Sequence, residues 1–535
     1  MGEFDSPRSV ESDLLPDTHR AGARLLAYLP LIIAVFGFGL LAVGFGQSDP
    51  WDLRNYHLYD GWAFWTGRGA IDFAPAQVQS YFNPLLATAT YLLFAHTPPW
   101  LSAFLLGVVQ GANVLPLYLL ARRLLPASVQ SGRPWFALLV ALVGAVGATQ
   151  LGELGGSMGD NLVSLPVLCA FALALGTPSL DPYRAAGAGL LIGMAVGIKL
   201  TVAPFALGLM LAMPLLAWQR PQRWRILVAA GSAALLGFLA ADGFWLLRLY
   251  REFGNPLHPM FASLFGGEYA PPLSLRDLRA IPQTLPEWLF YPLVWLGSPH
   301  RVSEVWFRDL RVPLAFLAMP ILLWRGADAD QRTRVRALAL ALAIAYLAWL
   351  PLFGFYRYLA PLEMLAPLLV ALALGGFARH RTRLLACILL FLIMALDHPP
   401  NWGRLRAHGN FLQTDIPALP NLDRSTVVLA DDEPLAFLAL GFPPTAKFVR
   451  IGGNLLGPPY PVYGMDREAA RRLAAAEGPI YALLVDPRSA KAPEALERQQ
   501  LTLTTPCAPV HSNLLPQDVH VEICPVQRAG IPQLQ

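Results

Sequence analysis

Long uncharged apolar segments decide what this chain can fold into. Residues Leu25 to Gly46 carry no charge at all. A helix needs about 20 mostly apolar residues to cross a bilayer. Comparable stretches recur at 100–121, 134–152, 162–178, 185–201, 203–218, 226–246, 312–324, 335–352, 360–377 and 383–397. Charged residues make up only 14% of the 535, against roughly 25% in ordinary soluble domains. The expectation is a mainly α, polytopic helical membrane protein with about eleven spans. The first segment is too long for a cleavable leader and reads as a signal anchor. A further stretch, 82–97, starts Tyr81-Phe82-Asn83-Pro84 and ends His96-Thr97-Pro98-Pro99. It is short for a span and reads as a juxtamembrane or re-entrant helix.

The arginines test this count, because Lys and Arg gather on cytoplasmic loops. They cluster at Arg20/Arg24, Arg122/Arg123/Arg133, Arg184, Arg220/Arg223/Arg225, Arg325/Arg332/Arg334/Arg336 and Arg379/Arg381/Arg383. With eleven spans and a non-crossing 82–97, all of these fall on one side. That predicts a cytoplasmic N-terminal tail over 1–24 and a transmembrane domain over 25–399. It also predicts two long extracytoplasmic loops, 47–99 and 247–311. Within them, Asp60 to Arg68 and Leu285 to Tyr291 suit short interfacial helices, each carrying tryptophan, and Gly254-Asn255-Pro256-Leu257-His258-Pro259 makes a turn-rich break. Residues 400–535 are more polar. They hold short β-type runs at Thr426–Ala430, Phe448–Ile451, Ile480–Val485 and Val519–Cys524, with a helical run from Asp466 to Ala476. A small extracytoplasmic α/β domain is expected there. In that domain Cys507 and Cys524 are placed to pair, whereas Cys169 and Cys387 sit in apolar segments as small core residues.

The chemistry is expected directly after the first span, in Ser48-Asp49-Pro50-Trp51-Asp52-Leu53-Arg54-Asn55-Tyr56-His57. Ionisable groups at a membrane surface are costly to desolvate. Asp52 is the leading carboxylate for general-base work. Asp49 precedes Pro50 and equally suits a turn. Asp160, in Gly155-Gly156-Ser157-Met158-Gly159-Asp160, is a second acidic candidate, with helix N-capping as its alternative. Lys199 interrupts an apolar stretch, with snorkelling as its alternative. Arg357-Tyr358 lies on the side that the positive-inside rule depletes, as do Arg248, His258, Arg308 and Arg311. Arg54, His57, Lys199, Arg248, His258, Arg308, Arg357 and Tyr358 are the candidates for contacting an anionic substrate. HExxH, Walker and GxGxxG motifs are missing, and no basic run interleaved with aromatics points to nucleic acid. No cofactor or metal is expected, although a divalent cation is left open. Asp431-Asp432-Glu433 reads as a solvated turn.

Three features resemble the GT-C superfamily of polyprenyl-phosphate-dependent glycosyltransferases, in particular bacterial members of the aminoarabinose and mannosyl transferase type. These are Asp52 followed by Tyr56-His57, Tyr81-Phe82-Asn83-Pro84-Leu85-Leu86 before a short apolar helix, and Tyr118 to Arg123. The resemblance covers roughly residues 20–400. It implies an essential acidic residue just after the first helix, a second one near Asp160, and a lysine facing a lipid phosphate at Lys199. It also implies an inverting transfer of a sugar from a polyprenyl-phosphate donor to an extracytoplasmic acceptor (glycan, lipid or protein) at the bacterial inner membrane. Two alternatives stay open: a lipid-linked sugar flippase or transporter, and a non-catalytic partner in envelope-polysaccharide assembly. Convergence of the ionisable groups on one face favours the enzyme; a central through-path favours transport.

Overall fold

The computed structural model describes residues 17–126, 134–218, 220–324, 329–374, 380–406, 409–486 and 491–528. The fold is mainly helical with a small C-terminal β-sheet region. Among the described residues, five helices are long and apolar enough to cross a membrane: Pro99–Leu124, Leu200–Ala217, Arg223–Phe253, Gln331–Leu352 and Tyr356–Ala373. The expected eleven spans are therefore not all spanning-length helices. The first helix is longer, running over Asp17–Phe45, whereas Pro134–Ala145, Asp160–Leu175, Pro182–Ile198 and Arg311–Trp324 are apolar but shorter. A 16-residue helix such as Asp160–Leu175 rises only ~24 Å. The segment 82–97 forms the short helix Leu85–His96.

The breaks have local causes. The stretch expected to span 134–152 stops at Ala145, and a separate turn, Ala148–Gly152, follows. The backbone N–H of Ala148 is held by Asp309 Oδ2 at 2.9 Å, and that of Thr149 by Glu363 Oε2 at 3.0 Å. Those donors are lost to a continuing helix. Gly147 faces Glu363 so closely that any Cβ there would collide with the carboxylate. Helix Pro182–Ile198 ends at Lys199, which adopts an extended conformation. That helix lies against Arg223–Phe253, and a Cβ at Gly193 would collide with the Ala234 carbonyl. Small residues allow such close helix approach where lipid supplies no hydrophobic drive.

Two ends emerge. At one, Arg334 Nη1 donates to the Arg123 and Leu175 carbonyls, each at 3.2 Å, and Arg220 donates to the Pro178 carbonyl. Helix Asp160–Leu175 runs from there to the opposite end, where Asp160 meets Lys199. The arginine-bearing turns at 122–123, 220 and 334 thus gather together. Arg133, Arg325 and Arg379 lie outside the described residues, as do the side chains of Arg20, Arg24, Arg381, Arg383 and Cys387 and residues 1–16 of the N-terminal tail.

Among the described residues nine strands are present: β1 Gln47–Ser48, β2 Arg404–Leu405, β3 Thr414–Asp415, β4 Thr426–Leu429, β5 Lys447–Arg450, β6 Ile480–Asp486, β7 Leu501–Leu503, β8 Ala508–Ser512 and β9 His520–Arg528. The four strand runs read from the sequence correspond to β4, β5, β6 and β9, and the helical run to Gly464–Ala474. The main sheet runs β3-β8-β9-β6-β4-β5, with β7 beside β9. Pairs β4–β5 and β4–β6 are parallel and the rest antiparallel. Alternation along β4 sends Val428 to one face and Val427 and Leu429 to the other. Val428 packs with Met465 and Ala469 of helix Gly464–Ala474. Val427 and Leu429 share a core with Leu53, Leu58 and Tyr59 from the first loop.

The region after residue 400 is consequently joined to the first loop. β1 pairs with β2, Phe73 pairs with Val449 at the edge of β5, and Arg68 donates to the Pro444 and Ala446 carbonyls. Cys507 and Cys524 form a disulfide. Asp431 departs from the solvated turn expected of it: it is buried and accepts the Val485 N–H at 2.9 Å.

Apolar surface remains on the two loop helices foreseen as interfacial. Phe64 and Trp65 project from Leu58–Trp65, and Leu285, Trp288, Leu289 and Phe290 from Leu285–Val294.

Candidate functional site

The first helix ends at Phe45, and Gly46 turns the chain with φ +84°. Residues Leu53–His57 then form a π-helical turn leading into Leu58–Trp65. Single π turns are uncommon and recur at functional sites. Here the turn buries Leu53, Asn55 and His57 and leaves Asp52 at its mouth.

Asp52 Oδ2 lies 2.8 Å from Arg357 Nη1, and the two side chains are 14% and 12% exposed. A second pair stands beside the first. Lys199 Nζ is 2.7 Å from Asp160 Oδ1 and donates to the Met158 carbonyl at 2.7 Å. Tyr358 joins them: its ring lies 5.1 Å from the Arg357 guanidinium and 5.8 Å from Lys199 Nζ. His57 Nδ1 shares a 2.8 Å hydrogen bond with Ser157 Oγ. Glu304 reaches Arg357 Nη2 at 3.9 Å. Three carboxylates, Asp52, Asp160 and Glu304, and two cations, Arg357 and Lys199, thus sit at one end of the molecule.

Burial pushes the Asp52 carboxyl up, but the cations, Arg357 above all and Lys199 behind it, outweigh burial and hold the group below its ordinary value. Burial drives His57 down to about 3, so the imidazole is neutral at physiological pH. Its Nδ1 is engaged by the Ser157 hydroxyl.

Sequence reasoning anticipated six members of this cluster: Asp52, His57, Asp160, Lys199, Arg357 and Tyr358. Asp160 does not cap its helix; its carboxylate serves Lys199 instead. Asp49 and Arg54 form a neighbouring pair at 3.8 Å. Three candidates lie elsewhere. Arg248 rests 4.6 Å over Trp245 and 3.6 Å from Glu252. His258 is buried and stacked on Phe253 at 3.9 Å. Arg308 is exposed, with its backbone paired to His398. Ser157 and Met158 were not singled out in the sequence as members of this cluster, although their glycine-rich surroundings marked a tight turn.

A deeper layer holds the 147–160 segment in place. Arg311 is fully buried, with Nη1 2.7 Å from Asp309 Oδ2 and 3.2 Å from Asp397 Oδ2. Asp309 and Glu363 hold the N-terminal end of Ala148–Gly152. Arg404 holds the other end, donating to the Gly152 and Leu154 carbonyls at 2.8 Å each. Ser157, Met158 and Asp160 follow directly from this clamped turn.

The site makes a pH prediction. Burial raises the Asp49 carboxyl to about 7, against the pull of Arg54. The unfolded chain releases this proton near pH 4 and the folded one near 7. Stability therefore falls as pH rises through that window and levels off above it. Asp49→Asn is expected to flatten the decline, measured as the denaturation midpoint against pH. An unchanged slope would show that Asp49 is not its source.

The chain is thus mainly helical, with five helices of membrane-crossing length among the described residues and a polar, doubly charge-paired cluster at the end opposite its arginine-rich turns. No protein-family model matches the sequence, and no curated protein matches it.

Proposed function

We propose that this protein is an inverting glycosyltransferase of the cytoplasmic membrane, taking a sugar from a polyprenyl-phosphate donor and passing it to an extracytoplasmic acceptor. The observation that carries the reading is the convergence of Asp52, Arg357, Asp160, Lys199 and Tyr358 at one end of the helical domain. A through-path for transport calls for ionisable groups along the helices instead.

The cluster suits displacement of a phosphate leaving group. Arg357 and Lys199 are cations already partnered by carboxylates. A donor phosphate competes for both, and charge-assisted bonds to phosphate are strong. Once Arg357 turns to the phosphate, Asp52 loses its main stabilising partner and becomes a stronger base. The acceptor hydroxyl gives its proton to Asp52 as its oxygen bonds to the anomeric carbon. The bond from that carbon to the phosphate oxygen breaks, and the electron pair leaves with the lipid phosphate, stabilised by Arg357 and Lys199. A single displacement of this kind inverts the anomeric centre. No metal or cofactor enters these steps.

The test is turnover by purified protein: release of free polyprenyl phosphate from a lipid-linked sugar, dependent on an acceptor and inverting at the anomeric carbon. A retained anomeric configuration would exclude the single displacement. The same reading predicts an extracytoplasmic C-terminus. A reporter that works only in the cytoplasm, fused after Gln535, should stay silent; a bright signal reverses the topology.

A further inference from the structure

An open cleft lies against helix Leu58–Trp65, across Phe82 and Tyr56 from the charged cluster. Its lining includes Asp60, Phe64, Phe82, Trp245, Arg248 and Glu252. Asp60 is 7% exposed. Among the described residues nothing donates a hydrogen bond to it and no cation pairs with it. A buried carboxyl normally has a partner, so one facing a cleft without one is prepared for something else. Arg248 does not fill that need, because it pairs with Glu252 and rests on Trp245.

The walls are fixed before any ligand arrives. Trp245 Nε1 donates to the Tyr81 carbonyl at 2.9 Å. Next to Phe82, the Asn83 amide donates to the Gly197 and Ala241 carbonyls and to Asp242. Phe82 in turn meets Tyr56 edge-on at 6.0 Å, and Tyr56 lies 4.1 Å from His57. One aromatic layer therefore separates the cleft from the Asp52 cluster.

We propose that this cleft is a binding site for a hexose-type sugar ring, with Asp60 hydrogen-bonded to its hydroxyls and Phe64 and Phe82 against its apolar face. The chemistry matches on three counts. Burial holds the Asp60 carboxyl well above its ordinary range, and a protonated carboxyl offers one donor and one acceptor, as a sugar hydroxyl does. Fixed aromatic faces suit the C–H surface of a pyranose. The Arg248–Glu252 pair brings no net charge, which disfavours an anionic ligand. Because Phe82 and Tyr56 stand between this cleft and Asp52, the sugar held here would be an acceptor ring remote from the reacting hydroxyl; that role rests on the transferase reading, and occupancy by a sugar does not.

The experiment titrates the full-length protein in detergent with methyl hexosides, without donor, and follows ligand signals by saturation-transfer NMR. Saturable binding is expected. Asp60→Leu, which keeps bulk and removes both hydrogen-bonding functions, should weaken it at least about tenfold. Asp60→Asn keeps one donor function and one acceptor function and should stay close to wild type. Phe64→Leu, at an exposed position, should weaken binding without a loss of thermal stability. Sugar binding that persists in a protein with no transfer activity counts against the transferase reading and leaves the cleft assignment standing. Equal hexoside affinity in Asp60→Leu and wild type overturns the assignment, as does preferential binding of a simple diamine, which would mark a cation site.

Discussion

Asp52→Asn is expected to lower sugar transfer by about 10²–10⁴-fold, the usual loss when a general base is removed. Asparagine keeps the size of the side chain and one acceptor for Arg357, and removes only the basic carboxylate. As a loop residue, Asp52 would be replaceable without structural consequence, but its 2.8 Å bond to Arg357 rules that out. Converting a charged partner to a neutral one at a largely buried pair should cost about 1–3 kcal/mol. Turnover must therefore be compared per folded molecule, with thermal unfolding measured beside it. A more acidic acceptor separates chemistry from pairing. If Asp52 takes the acceptor proton, an acceptor hydroxyl of lower pKa needs the base less and should recover much of the lost rate in Asp52→Asn. If Asp52 only restrains Arg357, the acidic acceptor brings no recovery. Near wild-type turnover in Asp52→Asn alone would falsify the assignment and move attention to Asp160.

Arg311→Met should have the largest effect on stability. Arg311 is fully buried among Asp309, Asp397 and Glu363, and also donates to the Val143 and Val146 carbonyls at 2.9 and 3.0 Å. Removing one partner of a buried ionic group leaves uncompensated charge and typically costs 3–5 kcal/mol. Here three carboxylates would lose their only shared cation. Two of them hold the start of Ala148–Gly152, so Ser157, Met158 and Asp160 should lose their positions as well. The expected result is a strong drop in unfolding temperature together with loss of transfer activity. Arg311→Lys restores the charge but not the planar fork, and should recover only part of either. An Arg311→Met protein that melts with the parent would show that the buried cluster carries no structural load.

Much of the site was readable because charge in apolar surroundings is expensive. Asp52, Lys199 and Arg357 stood out for that reason alone, and the structure gathers them. Arg248, His258 and Arg308 lie away from that cluster. Spacing along a chain does not say which loop charges meet, and these three find local partners in Trp245, Phe253 and the His398 backbone. Helix lengths were over-read for a related reason. Hydropathy runs unbroken from 134 to 152, but the carboxylates that stop the helix at Ala145 come from residues 309 and 363.

The sequence by itself determined the elements that local physics controls. Apolar runs specify helices and β-branched runs specify β4, β5, β6 and β9. Tertiary structure alone decided the pairings. It set Asp52 on Arg357 and Asp160 on Lys199, and it laid one face of the C-terminal sheet over Leu53, Leu58 and Tyr59. It also joined Arg68 to the Pro444 and Ala446 carbonyls across more than 370 residues. Periodicity reports which face of an element is apolar, through interactions a few residues apart. Which surface covers that face depends on contacts between distant segments, and these leave no repeating mark in the chain.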